Sequence, residues 1–185
     1  MANFETVKNK LRDTIVNNIS NLLTADKVFF ATERYTMPEY PYIMITELSN
    51  NEDLGSGRNN RPFGGKIEVT QYKESIFTVA IYGQSEEDLT AEREAIRAEL
   101  NHIRNVFNLC QFNHSLKKYF TVKSMTDLRP LNTTTDTGYL YRYEFDITCG
   151  YNEDINSDVE LSNRVIINLE DNNITETIIK ESPHV

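Results

Sequence analysis

Very few residues in this chain have the types and spacing that chemistry requires. The three histidines, His102, His114 and His184, stand far apart. None has a partner at HxH or HxxxH spacing, the arrangement that brings two imidazoles to one metal, so no metal site is expected. Cys110 and His114 are four apart, which on a helix would put thiol and imidazole on one face. No flanking signature of a catalytic thiol accompanies them, and the pair reads as an apolar cysteine near an exposed histidine. Cys149 reads the same way, as a small apolar group. Carboxylates cluster at Glu86-Glu87-Asp88 and Glu153-Asp154. Acid/base chemistry needs one carboxyl in an apolar setting, and these runs lie in polar segments. Gly55-Ser56-Gly57 followed by Arg58 and Arg61 has the look of a phosphate loop, but the Lys-Ser/Thr pair is missing and no helical pattern follows. The chain is therefore expected to have no enzymatic activity and no cofactor.

Composition narrows the partners. Of 185 residues, 25% are charged and 39% hydrophobic, and the formal net charge is -9. A chain of this size can bury a real core without staples. Its negative balance disfavours nonspecific nucleic-acid binding, which needs a surplus of Lys and Arg. The start, MANFETVKNKLRD, lacks an apolar segment, and no run of about 18 apolar residues occurs, so neither signal peptide nor membrane span is expected.

The elements follow from periodicity. Phe4, Val7, Leu11, Ile15, Ile19 and Leu22 recur at spacings of three and four, which predicts a helix over Asn3–Leu23. Pro38 and Pro41 exclude a helix before a strand at Tyr42–Leu48. Asn50–Gly65, rich in Gly and Asn, reads as a long mobile loop. Lys66–Tyr72 and Ser75–Tyr82 read as a hairpin turning at Lys73-Glu74. The second run is apolar on both faces, as in a central strand. Ser85 is the expected cap of a helix reaching about Asn105, striped by Leu89, Ile96, Leu100, Ile103 and Phe107, with Glu92, Arg93, Glu94, Arg97 and Glu99 on its solvated side. Phe120–Leu128 reads as a strand and Leu131–Gly138 as a turn.

The clearest pattern comes next. Tyr139, Tyr141, Tyr143, Phe145, Ile147, Cys149 and Tyr151 alternate with Leu140, Arg142, Glu144, Asp146, Thr148 and Gly150. Strict period two means a strand with one apolar and one polar face. Its polar residues Arg142, Glu144 and Asp146 either face solvent or form a contact surface. A short strand at Asn163–Leu169 follows, and Asp171–Val185 reads as a tail. The expected fold is α+β: a mainly antiparallel sheet with two principal helices on one face, a long loop and an extended C-terminal arm. Residues 1–170 form one domain in this reading, with 171–185 as the arm.

The order of these elements, above all SIFTVAIYGQSEEDLTAEREAIRAELN followed by YLYRYEFDITCGYNED, resembles the neck or tail terminator proteins of tailed bacteriophages. The likeness is carried by Lys66–Asp154. It implies a structural virion protein in the neck, assembled in the host cytoplasm. Its subunits would form a homo-oligomeric ring, typically a hexamer, that ends the tail tube and joins it to the head connector. Implied partners are a connector or head-completion protein and the tail tube protein, and DNA would pass through an acidic lumen without specific binding. Candidate contacts are Arg58, Arg61 and Phe63 in the loop, Arg142, Glu144 and Asp146 on the long strand, and Ile174 and Ile178 in the arm. The alternatives are a head-completion or connector ring protein, or a small cytoplasmic ligand-binding domain.

Overall fold

The computed structural model describes residues 3–33, 36–53, 59–63, 66–85, 90–110, 114–135, 138–157, 164–170 and 173–179. Helix α1 spans Phe4–Val16. Asn3 caps it, its Oδ1 accepting the Thr6 amide at 2.8 Å, which satisfies one of the free donors of the first turn. Val7, Leu11 and Ile15 are buried, as the stripe requires. The helix stops seven residues short of the expected Leu23. The cause is the polar run Asn17 to Asn21, whose side chains compete with the helical ladder. Asn18 Nδ2 donates to the Thr14 carbonyl, and the Ser20 amide donates to Glu99 Oε1 at 2.7 Å. Leu23 still reaches the core from non-helical backbone, while Leu22 is exposed.

Helix α2 spans Thr90–Cys110. Ile96, Leu100, Ile103 and Phe107 are buried along one side. Two expectations about this helix need correction. Ser85 does not cap it but ends a strand opposite Tyr139, and residues 86–89, with Leu89, lie outside the described residues. Glu99 is not solvated: it is buried, holding the Ser20 amide and so fixing the exit of α1 against α2. A short helix α3, His114–Lys117, follows.

The strands are β1 Val28–Phe30, β2 Tyr42–Asp53, β3 Asn59–Phe63, β4 Lys66–Ser85, β5 Thr121–Met125, β6 Arg129–Pro130, β7 Thr133–Thr135 and β8 Gly138–Ser157. They form one eight-stranded sheet in the order β1-β2-β4-β8-β5, with β3 added to β4, and β6 and β7 added to β8. Among the described residues only β1 and β2 run parallel; the other pairs are antiparallel. Strands β9, Arg164–Glu170, and β10, Asn173–Ile179, form a separate hairpin.

The central hairpin expected at Lys73-Glu74 is absent; Lys66–Ser85 is a single strand of 20 residues. A two-residue hairpin turn needs positive-φ residues such as Gly or Asn, and Lys-Glu supplies none. Strand β8 runs beside β4 along its whole length, so Lys73 and Glu74 keep ladder partners in Tyr151 and Gly150. The reversal occurs earlier in the chain. Phe63 pairs with Lys66, and Gly64-Gly65 between them is a pair that two-residue hairpins prefer. Much of the expected loop Asn50–Gly65 is consequently strand, the end of β2 and all of β3; residues 54–58 and 64–65 lie outside the described residues. The C-terminal arm likewise contains β10, whose ladder with β9 supplies the order that its sparse apolar residues do not advertise.

The alternation of β8 is realised from Tyr141 to Tyr151, while Tyr139 is only partly buried. Tyr141, Tyr143, Phe145, Ile147, Cys149 and Tyr151 are buried in one core with Phe77, Val79 and Ile81 of β4, Ile43 and Ile45 of β2, and the buried stripes of α1 and α2. Each large side chain buried this way contributes about 1.5–3 kcal/mol. Two glycines are required by geometry. Gly138 opens β8 at φ 142, which side-chain-bearing residues rarely adopt. At Gly83 a Cβ would collide with Ile96 Cδ1 of α2, so glycine there lets the helix lie close on the sheet. The fold is α+β, with two principal helices covering one face of a mainly antiparallel sheet.

Candidate functional site

The sheet has a second face. Phe29 of β1, Tyr42 and Met44 of β2, and Ala80 and Tyr82 of β4 cluster there, separate from the helix-covered core. Their rings form a ladder. Tyr40 stacks on Tyr42 at 5.3 Å between centroids, Tyr42 on Tyr82 at 4.9 Å, and Phe29 tilts against Tyr42 at 5.7 Å. The Arg142 guanidinium covers the Tyr82 ring at 5.2 Å, a cation–π contact that ties the ladder to β8.

Beside the ladder lies a network of charges. Glu144 Oε2 is 2.6 Å from the Arg142 guanidinium and its Oε1 is 3.1 Å from that of Arg129. Arg129 also reaches Asp146 Oδ2 at 2.8 Å. Asp146 Oδ1 accepts the Thr78 hydroxyl at 2.7 Å, and the Asp146 amide donates to Thr126 Oγ1 at 2.8 Å. The network crosses from β4 through β8 to β6, so it stitches three strands. It is charge-balanced, two arginines against two carboxylates. Within this network Arg142 Nε is buried without a hydrogen-bond acceptor among the described residues.

Electrostatics agree with a held, not a reactive, set of groups. The hydrogen bond from Arg129 to Asp146, opposed by partial burial, raises the guanidinium pKa above its usual value. Burial, reinforced by Tyr40, pushes the Tyr42 phenol up to about 12. Burial raises Tyr82 as well, against the opposing charge of Arg142. Burial also pushes the Cys149 thiol far up, so it stays protonated and is neither nucleophile nor ligand. His102 is exposed on α2. Among the described residues no three His, Cys, Asp or Glu side chains gather as a metal site would require, and no helix is long and apolar enough to cross a membrane. The face offers stacked rings, a planar guanidinium and satisfied carboxylates, which suits recognition of another surface.

The eight residues singled out in the sequence do not form one site. Arg142, Glu144 and Asp146 come together on β8, bound to one another through Arg129. Arg61 and Phe63 lie on β3 opposite Glu68 and Lys66, at the far end of β4. Ile174 and Ile178 lie on β10 opposite Leu169 and Val165. Arg58 lies outside the described residues. Sequence reasoning missed Arg129, Thr78 and Tyr82. Thr78 and Tyr82 were visible as the second face of β4, but Arg129 sits before Pro130 in a two-residue strand, too short to show a period.

A comparison with known families decides what kind of protein this architecture serves: residues 9–180 match the family described as phage neck terminator protein. The chain belongs to the phage neck terminator protein family. The match covers α1 from residue 9 onward, all of α2, the whole sheet and both strands of the C-terminal hairpin, so it embraces the outer face and the long strands together. A comparison with curated proteins returned no significant match. As a member of this family the chain is a structural protein of the phage neck, and its place is in the virion.

Proposed function

We propose that this neck terminator is the subunit of a homo-oligomeric ring, most simply a hexamer, that ends the tail tube and joins it to the head connector. The observation that carries the reading is the family match over residues 9–180. Physical features support it. A ring arises when one surface of a subunit fits a different surface of the next and the rotation closes. Strands β4 and β8, at 20 residues each, are about 65 Å long at the usual rise, far beyond the part covered by helices. They give the subunit a long, rigid sheet on which neighbours can pack. The net charge of -9 suits a channel through which DNA slides without adhering. Assembly takes place in the host cytoplasm, with a connector or head-completion protein on one side and the tail tube protein on the other.

Purified protein, alone and mixed with tail tube or connector protein, tests the reading by mass photometry and negative-stain microscopy. A closed ring of fixed stoichiometry, alone or with either partner, is expected. Stable attachment to connector but never to tube would shift the assignment to a head-completion ring.

A further inference from the structure

Two exposed patches flank the outer face of the sheet. The first is the segment 36–41, which leads into β2 beside the edge strand β1. Met37 there is 63% exposed, and Tyr40 is exposed as well. Glu39 between them is exposed and makes no ion pair among the described residues. The second patch lies across the sheet, where β6 pairs with β8 on the side away from β4. Leu131 is exposed there, and the Arg129 side chain is 45% exposed. Arg129 reaches Glu144 and Asp146 through Nη2. A guanidinium has five N–H donors, so it can still receive a further carboxylate.

The two patches are complementary. One offers a free carboxylate between a thioether and a phenol ring. The other offers a held guanidinium beside an aliphatic side chain. Tyr, Met and Arg are residues that interface centres favour. The patches are also level. Tyr42 stands opposite Tyr82, and Tyr82 opposite Arg142. The Leu131 amide donates to the Arg142 carbonyl at 2.7 Å, and Tyr40 stacks on Tyr42. In the neighbouring rank Met44, Ala80, Glu144 and Arg129 align. Tyr40 and Leu131 therefore mark the two ends of one rank, which runs from β2 through β4 and β8 to β6, about 14 Å at the usual strand spacing. Equal height bears on closure. A copy that docks its β2 flank on its neighbour's β6 flank turns about an axis along the strands, without the axial rise that makes a filament.

Resting on the ring reading above, we infer that subunits join head-to-tail through these flanks. The segment 36–41 of one copy packs on Arg129 and Leu131 of the next. Glu39 meets the spare donors of Arg129, and Met37 and Tyr40 cover Leu131. The occupant is a second copy because the carboxylate that lacks a cation and the guanidinium with donors to spare belong to the same chain, on opposite flanks and at one height. Glu144 and Asp146 hold Arg129 in place beforehand, so docking costs it little rotamer freedom.

Two differently tagged full-length chains, co-expressed with a photo-crosslinking amino acid replacing Met37 in one of them, test this. Rings should form, alone or with tail tube protein, and crosslinks should join the two tags and land within residues 129–134. Glu39→Lys turns attraction into repulsion and should raise the concentration for half-assembly by about fivefold or more, with the melting temperature of the monomer unchanged. Crosslinks confined within one tag, or landing on 36–41 of the other copy as a face-to-face pair would give, with rings intact, would overturn this contact and leave the ring standing. Glu39→Lys rings that form at the unsubstituted concentration would overturn it too. Failure of the unsubstituted chain to form rings even with tail tube protein would remove the ring reading, and this contact with it.

Discussion

Replacing Glu144 with Gln keeps the side chain's volume and removes one charge from the network on the outer face. Glu144 is 8% exposed, and each of its oxygens meets a different arginine, at 3.1 Å and 2.6 Å. Arg129 would retain Asp146 at 2.8 Å. The glutamine carbonyl can accept from one arginine only, while its NH2 faces the other; Arg142 keeps its contact with the Tyr82 ring, and its Nε already lacks an acceptor. Breaking a buried ion pair costs about 3–5 kcal/mol, and breaking an exposed one about 0–1 kcal/mol. The arginine side chains remain 45% and 36% exposed, so water recovers much of the loss. The expected cost is therefore about 1–2 kcal/mol. At this chain length that lowers the Tm by about 2–8 °C. Thermal denaturation of the wild type, Glu144→Gln, Arg142→Met and the double variant completes a cycle, in which a coupling of about 0.5–1.5 kcal/mol is expected. The gap between wild type and Glu144→Gln should narrow in about 1 M salt, where screening acts over about 3 Å. A Glu144→Gln protein that melts like the wild type, with no coupling to Arg142, would refute the network as a structural element.

Three further outcomes follow from the geometry. Gly83→Ala should destabilise by about 1–3 kcal/mol, read in denaturant melts, because its Cβ would displace Ile96 and lift α2. Leu100→Ala should cost about 2–5 kcal/mol, since Leu100 is 0% exposed in the shared core. Alkaline titration should destabilise the protein as well. Tyr42 ionises at about 12 in the fold, above the ordinary value of about 10 in the unfolded chain, so its contribution is complete below pH ~10 and is lost as pH rises through about 12. Phenolate absorbance should show this tyrosine titrating late; ionisation near pH ~10 with no loss of stability would contradict its burial.

Periodicity made the core legible and left the sheet's edges obscure. The alternation in Tyr139–Tyr151 and the stripe of Ile96, Leu100, Ile103 and Phe107 are readable because each residue's burial depends on its own local repeat. The length of β4 was not readable. Lys73 and Glu74 look like an interruption, and only the partner β8 keeps them extended, Lys73 meeting Glu153 in an ion pair across the strands. Glu99 misled for the same reason: its burial is set by the Ser20 amide, 79 positions away. The candidate contacts on β8 were recognised by residue type. That they neutralise one another depends on Arg129, which only the return of the chain through β6 brings into reach. Family resemblance reached the function through the order of elements, since no cluster of reactive side chains pointed to one.

The central claim, a ring subunit at the phage neck, is tested most directly by native mass spectrometry of the full-length protein mixed with its tail tube protein. The account predicts one closed oligomer of fixed copy number, most simply six, that remains bound to tube ends and blocks further tube growth. A protein that stays strictly monomeric across the accessible concentration range, and binds neither tube nor connector, would contradict it.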